Sequence, residues 1–237
     1  MTSIEIFGMI ILGIGTGFSK LGIPTALIFS PLLASLYGGK TSAGIIIIPV
    51  VISDLTMLYL YGKELDLKTL KKILPMTVLG MIVAVIFGNN ISDEFFKKSM
   101  GIIILTIGIL TLLKSLNVNF SKLSHIFGFL GGFSSFIGNV SGPLMSIYLL
   151  NIDLDKEKFY GTRTWFYFIV NFSKFLLYFF FLKNINLFTL SRGVFAIPTT
   201  FIGIFIARFI VGKMNQSIFE KFIVIISVIS GLNLLLN

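Results

Sequence analysis

Six stretches of this chain, residues 41–61, 73–92, 99–113, 164–182, 193–211 and 222–236, are almost wholly apolar. A helix needs about 20 such residues to cross the hydrocarbon core of a bilayer. The longer stretches meet that length, and the shorter ones meet it with tilt or snorkelling at their ends. A β-barrel would instead show short segments of alternating polarity, and these runs do not alternate. The expected fold is therefore all-α and integral to the membrane. Composition agrees: 55% of the 237 residues are hydrophobic and 12% charged, against about a quarter charged in a soluble domain. The first apolar run, Ile4–Phe18, has neither a basic leader nor a small-residue cleavage site, so it reads as part of the mature protein.

The polar breaks, near 38–40, 62–72, 89–98, 114–125, 151–163, 183–192 and 212–221, are too short to hold a soluble module. The formal charge of +9 would suggest nucleic acid in a soluble chain. Here the surplus lysine and arginine belong in cytoplasmic loops, and no nucleic-acid partner is expected. The expectation is one membrane domain over 1–237, with the lipid bilayer as its solvent and a homo-oligomer left open.

An internal repeat organises that domain. "YGKELDLKTL" (61–70) aligns with "FLKNINLFTL" (181–190), and "LPMTVLGMIVA" (74–84) with "IPTTFIGIFIA" (197–207). "FKKSMGIIILTIGILTLL" (96–113) aligns with "FEKFIVIISVISGLNLLL" (219–236), and "GTGFSKLGIP" (15–24) with "SSFIGNVSGP" (134–143). Repeat one is 1–115 and repeat two 122–237. Each half holds a broken pair of short helices, at about 4–17 and 23–37 or 124–137 and 142–151, followed by three transmembrane helices. Whether the short pair crosses fully or is re-entrant, the number of crossings per half is odd, which makes the topology inverted. Charge supports this: 12 basic residues fall on one face and 5 on the other, with Lys20 and Lys174 the remaining two of 19. That bias puts both termini outside the cytoplasm.

Inverted repeats with interrupted helices point to a secondary transporter, whose site lies where the broken helices meet. Gly15, Gly17, Gly22 and Pro24 mark the first break, and Gly138, Gly142 and Pro143 the second. Helix starts after the two prolines would offer N–H groups and positive dipole ends to an anion. Lys20 lies in the first break and Asn139 aligns with it in the second. Asp54, in "VVISDLTML", aligns with Lys174, in "VNFSKFLLY". A charge at the bilayer centre costs roughly 2.5–3.5 kcal/mol on insertion scales. Asp54 and Lys174 read either as an ion pair tying the halves together or as part of a ligand site. In both cases two cations and one anion leave one positive charge, which a small anionic substrate would neutralise. Asn171 shares a helix face with Lys174 and reads as a ligand donor or as an interhelical hydrogen bond. Asp54 is also the candidate carrier of a coupling proton. Ser53 and Ser173 read as packing residues, and Arg163 as an interfacial anchor.

Enzyme chemistry is not expected. His125 is the only histidine and there are no cysteines, so neither a metal centre nor a serine with a buried base is in view. No cofactor is implied.

"GTGFSKLGIP", "FIGNVSGPLMSIYLL", "VISDL", "GTRTWFYFIVNFSKFLLY" and the paired "LP…G" helices, in this order over essentially the whole chain, resemble the sulfite exporter TauE/SafE family, also called TSUP. The resemblance implies a multi-pass plasma-membrane transporter of sulfite, sulfonates such as sulfoacetate, or related anions. By motif it carries Lys20, Asp54, Asn139, Asn171 and Lys174 into the site. Many members have a denser glycine cluster where this chain has Thr16–Gly17–Phe18. The alternative from another class is a channel-like or accessory membrane subunit without carrier activity of its own.

Overall fold

A computed structural model describes residues 1–23, 25–87, 92–112, 119–139 and 141–236. The helices are α1 (Ser3–Lys20), α2 (Ala26–Tyr37), α3 (Gly39–Tyr61), α4 (Leu67–Phe87), α5 (Asp93–Leu112), α6 (Ser124–Gly138), α7 (Ser141–Leu150), α8 (Lys156–Phe180), α9 (Leu187–Phe195), α10 (Ile197–Gly212) and α11 (Gln216–Leu236). Among the described residues there is no strand. Among the described residues, five segments are long and apolar enough to cross a membrane: Ser3–Lys20, Gly39–Glu64, Leu67–Phe87, Leu187–Gly212 and Gln216–Leu236. Exposure follows the same logic. On α10, Ile202, Phe205, Ile206 and Phe209 form an outward apolar stripe at helical spacing, each more than two-fifths exposed. Such a stripe is suited to lipid.

The helices gather into two compact units, Met1–Leu60 with Tyr167–Lys213 and Tyr61–Phe166 with Met214–Asn237. Each unit draws on both halves of the sequence.

In the first unit, α1 starts with a capping box. The Thr2 N–H donates to Glu5 Oε2 at 2.7 Å, and the Glu5 N–H donates to Thr2 Oγ1 at 3.3 Å. The helix runs unbroken through Gly15 and Gly17 to Lys20, so these two glycines are not break residues as expected. The break lies at Gly22. Its φ of 101° is the left-handed conformation that glycine adopts without penalty. The Gly22 and Ile23 N–H groups donate to the Ser19 and Phe18 carbonyls, which is a Schellman termination. Pro24 lies outside the described residues.

The chain then turns back. Gly8 lies against Leu36 and Gly15 against Phe29, so α1 and α2 form an antiparallel hairpin. Its ends meet where Tyr37 Oη donates to Glu5 Oε1 at 3.1 Å. Arg192 of α9 approaches Glu5 at 3.9 Å and lies 3.7 Å from the Phe188 ring. At 12 residues, α2 is about 18 Å long, shorter than the hydrocarbon core.

The hairpin packs on α10 through glycine. A Cβ on Gly13 would fall on the Ala196 carbonyl, one on Gly17 on the Ile204 N–H, and one on Gly203 on the Ile14 carbonyl. Backbones this close are the membrane solution to packing without a hydrophobic drive.

The second unit repeats the plan. Gly131 meets Met145, and Phe127 stacks on Tyr148 at 4.9 Å, so α6 and α7 are antiparallel too. A Cβ on Gly128 would meet the Ile73 carbonyl of α4, one on Gly132 the Thr77 carbonyl, and one on Gly80 the Phe129 carbonyl. Gly13 and Gly132 are aligned in the repeat, as are Gly80 and Gly203. Thus α1 packs on α10 as α6 packs on α4, each short hairpin lying against a helix of the other half. α5 and α11, also aligned in the repeat, pack on each other.

Two boundaries differ from expectation. α8 begins at Lys156, because Asp155 caps it by accepting from the Lys158 N–H at 2.8 Å. The polar run "DLDKEK" therefore holds the first turn of a helix. Gly138 is the last residue of α6, and Gly142 and Pro143 lie in the first turn of α7, so the second break falls between them.

Candidate functional site

Three helices of the first unit bring charge together. Lys20 is the last residue of α1, where the negative end of the helix dipole favours a cation. Asp54 sits in the second half of α3, and Asn171 and Lys174 on the C-terminal part of α8. All four are buried: Asp54 is 1% exposed, Lys174 3%, and Lys20 and Asn171 7% each.

Asp54 is the hub. Lys20 Nζ contacts Asp54 Oδ1 at 2.5 Å, and Asn171 Nδ2 donates to Asp54 Oδ2 at 2.8 Å. Lys174 follows Asn171 by three residues on the same face of α8 and is buried with it. Lys20, which the alignment set over Asn139, pairs directly with Asp54. Asn171, left open as ligand donor or hydrogen-bond partner, does orient this carboxylate.

The local sequence explains why the cluster holds. Lys20 ends a helix pinned to α10 by Gly13 and Gly17. Asn171 and Lys174 are three residues apart and share one face of α8. Ser53 and Ser173 donate to the Val50 and Ile169 carbonyls of their own helices, as packing residues do. A carboxylate with charged and amide donors on its two oxygens satisfies the main demand that burial places on it.

The remaining predicted residues lie in the second unit. Asn139 is exposed and ends α6 in the left-handed conformation, φ 53°, with its N–H donating to the Ser134 carbonyl. A residue of this type tolerates that geometry. Arg163 is 5% exposed, buried where an interfacial anchor was expected. Tyr148 stacks in the aromatic core of this unit. Among the described residues no group of three or more histidine or acidic side chains converges on a point, so no metal site is assigned.

Sequence reasoning passed over Thr16, noted only as a departure from a glycine cluster. It is 0% exposed and one helical turn before Lys20. The signal available was its spacing of four from a buried lysine.

The model of one protein family, described as sulfite exporter TauE/SafE, matches residues 7–234, nearly the whole chain. A comparison with curated proteins finds no match.

Proposed function

The chain belongs to the sulfite exporter TauE/SafE family, and from that premise we propose that it is a secondary transporter of sulfite or a small organosulfonate. Membership places it among membrane proteins that move anions of the sulfite type. In the finer reading, the substrate binds at the cluster of Lys20, Asp54, Asn171 and Lys174. The observation that carries this is the charge count: among the described residues of the first unit the buried charged ones are Lys20, Lys174 and Asp54. They sum to one positive charge in a setting where solvation is poor. A monovalent anion brings the sum to zero. Lysine suits this task because its ammonium is a compact point charge with three donors on a flexible stem.

Asp54 has a distinct role. It holds Lys20 and Asn171 in place, so it sets the geometry of the donors around the anion. It is also the group through which proton transfer would couple to transport. The exchange of equivalent packing between the sequence halves supports alternating access by inverted repeats, in a plasma membrane with both termini outside the cytoplasm.

The test is flux through the purified protein reconstituted alone in liposomes. A carrier gives sulfite uptake that saturates with concentration. Uptake rising linearly would indicate a channel, and no uptake at all an accessory subunit.

A further inference from the structure

Thr16 has a hydroxyl with no hydrogen-bond partner among the described residues, on a side chain that is 0% exposed. Serine and threonine inside helices commonly return that proton to a carbonyl three or four residues back. In the same unit, Ser19 donates to the Thr16 carbonyl, Ser53 to Val50, Thr56 to Ile52, Ser173 to Ile169, and Thr199 and Thr200 to Ala196. Thr16 departs from that habit, as does Ser30 of α2, but of the two only the Thr16 residue is fully buried. Burial of a hydroxyl without a partner is unfavourable, so keeping one there calls for an acceptor beyond the helix's own backbone.

The faces of α1 give its direction. Gly13 and Gly17 lie against α10, while Gly8 and Gly15 lie against α2. At about 100° per residue, Thr16 falls between those two directions, about 40° from Lys20. Met9 and Leu12, on the same strip, share a buried cluster with Ile45 and Ile46 of α3. Thr16 and Lys20 therefore belong to the strip of α1 that faces α3, the helix that carries Asp54.

We propose that Thr16 Oγ1 is a donor of the anion site, giving its hydrogen bond to one oxygen of the oxyanion whose charge Lys20 and Lys174 balance. This rests on the binding reading above and narrows the substrate class. The ligand must present at least two acceptor oxygens on one centre, as a sulfite, sulfonate or carboxylate group does, one toward an ammonium and another toward the hydroxyl.

The test compares Thr16→Val, which keeps the shape and removes the hydroxyl, with Thr16→Ser, which keeps the hydroxyl. Sulfite is titrated into the purified full chain, and thermal unfolding is measured without ligand. Thr16→Val should weaken sulfite binding about tenfold, and Thr16→Ser should stay within about twofold of the parent. The ligand-free melting temperature of Thr16→Val should equal or exceed the parent's, because a buried partnerless hydroxyl has been removed. Equal sulfite affinity in Thr16→Val would overturn the inference. So would a lower ligand-free melting temperature that Thr16→Ser restores, since that marks a structural hydroxyl. If the parent chain itself binds no sulfite, the anion-site reading fails and this inference falls with it.

Discussion

In one unit the hairpin of α1 and α2 lies against α10 through Gly13, Gly17 and Gly203. In the other, α6 of the α6–α7 hairpin lies against α4 through Gly128, Gly132 and Gly80. The scaffolds match glycine for glycine at Gly13 and Gly132 and at Gly203 and Gly80. What they surround does not match. The first unit buries Lys20, Asp54 and Lys174. The second buries aromatic rings, Phe127 stacked on Tyr148 at 4.9 Å and Phe159 edge-on and Tyr160 tilted against Phe219 at 5.2 and 5.4 Å, with Arg163 its one buried charge among the described residues. At the aligned position of Lys20 stands Asn139, exposed and engaged in ending a helix. The close backbone crossings, which tolerate no side chain, recur in both units, while the centres differ. A glycine crossing is fixed by sterics, whereas a buried charge persists only where a partner or a ligand compensates it.

The sharpest way to break this comparison is to remove the hub of the charged centre. Asp54→Ala leaves two buried ammonium groups without their carboxylate, and loss of one partner of a buried pair costs about 3–5 kcal/mol. Thermal unfolding should show a large destabilisation, and the double variant Asp54→Leu with Lys20→Met should recover much of it. A mild effect of Asp54→Ala would mean that the first unit is not organised by charge. A smaller effect tests the shared scaffold. Gly13→Ala and Gly132→Ala each force a methyl group into a backbone contact, an overpacking worth about 1–3 kcal/mol. The two losses should agree within about 1 kcal/mol. A loss at only one of them would deny that the two crossings are equivalent.

Much of this was legible in the sequence, for identifiable reasons. Long apolar runs located α3, α4, α5, α10 and α11, because the bilayer imposes a length on them. The short pairs were legible from their glycine and proline breaks, and the buried lysines from being the two basic residues assigned to neither membrane face. Two things were not. Gly15 and Gly17 looked like break residues, since the same letter serves a turn and a close packing contact; only Gly22, with its positive φ, is the turn. The contact of Asp54 with Lys20 and Asn171 was hidden as well. A repeat alignment shows which positions are equivalent, and equivalence does not bring side chains together. The crossing of α1, α3 and α8 does that, and it hands the carboxylate to Lys20 and Asn171. The early start of α8 was masked by charge, because a helix that continues out of the apolar layer loses its hydropathy signal while keeping its Asp155 cap.

Of the two lysines, Lys20 also ends α1 beside the Gly22 turn, so replacing it disturbs a helix terminus along with the site. Lys174 gives the cleaner test of whether this centre holds an anion. Sulfite titrated into the purified chain should bind with one site per chain, and Lys174→Gln should weaken that binding by about 10- to 100-fold while the protein stays folded. Sulfite affinity unchanged in Lys174→Gln would contradict the account.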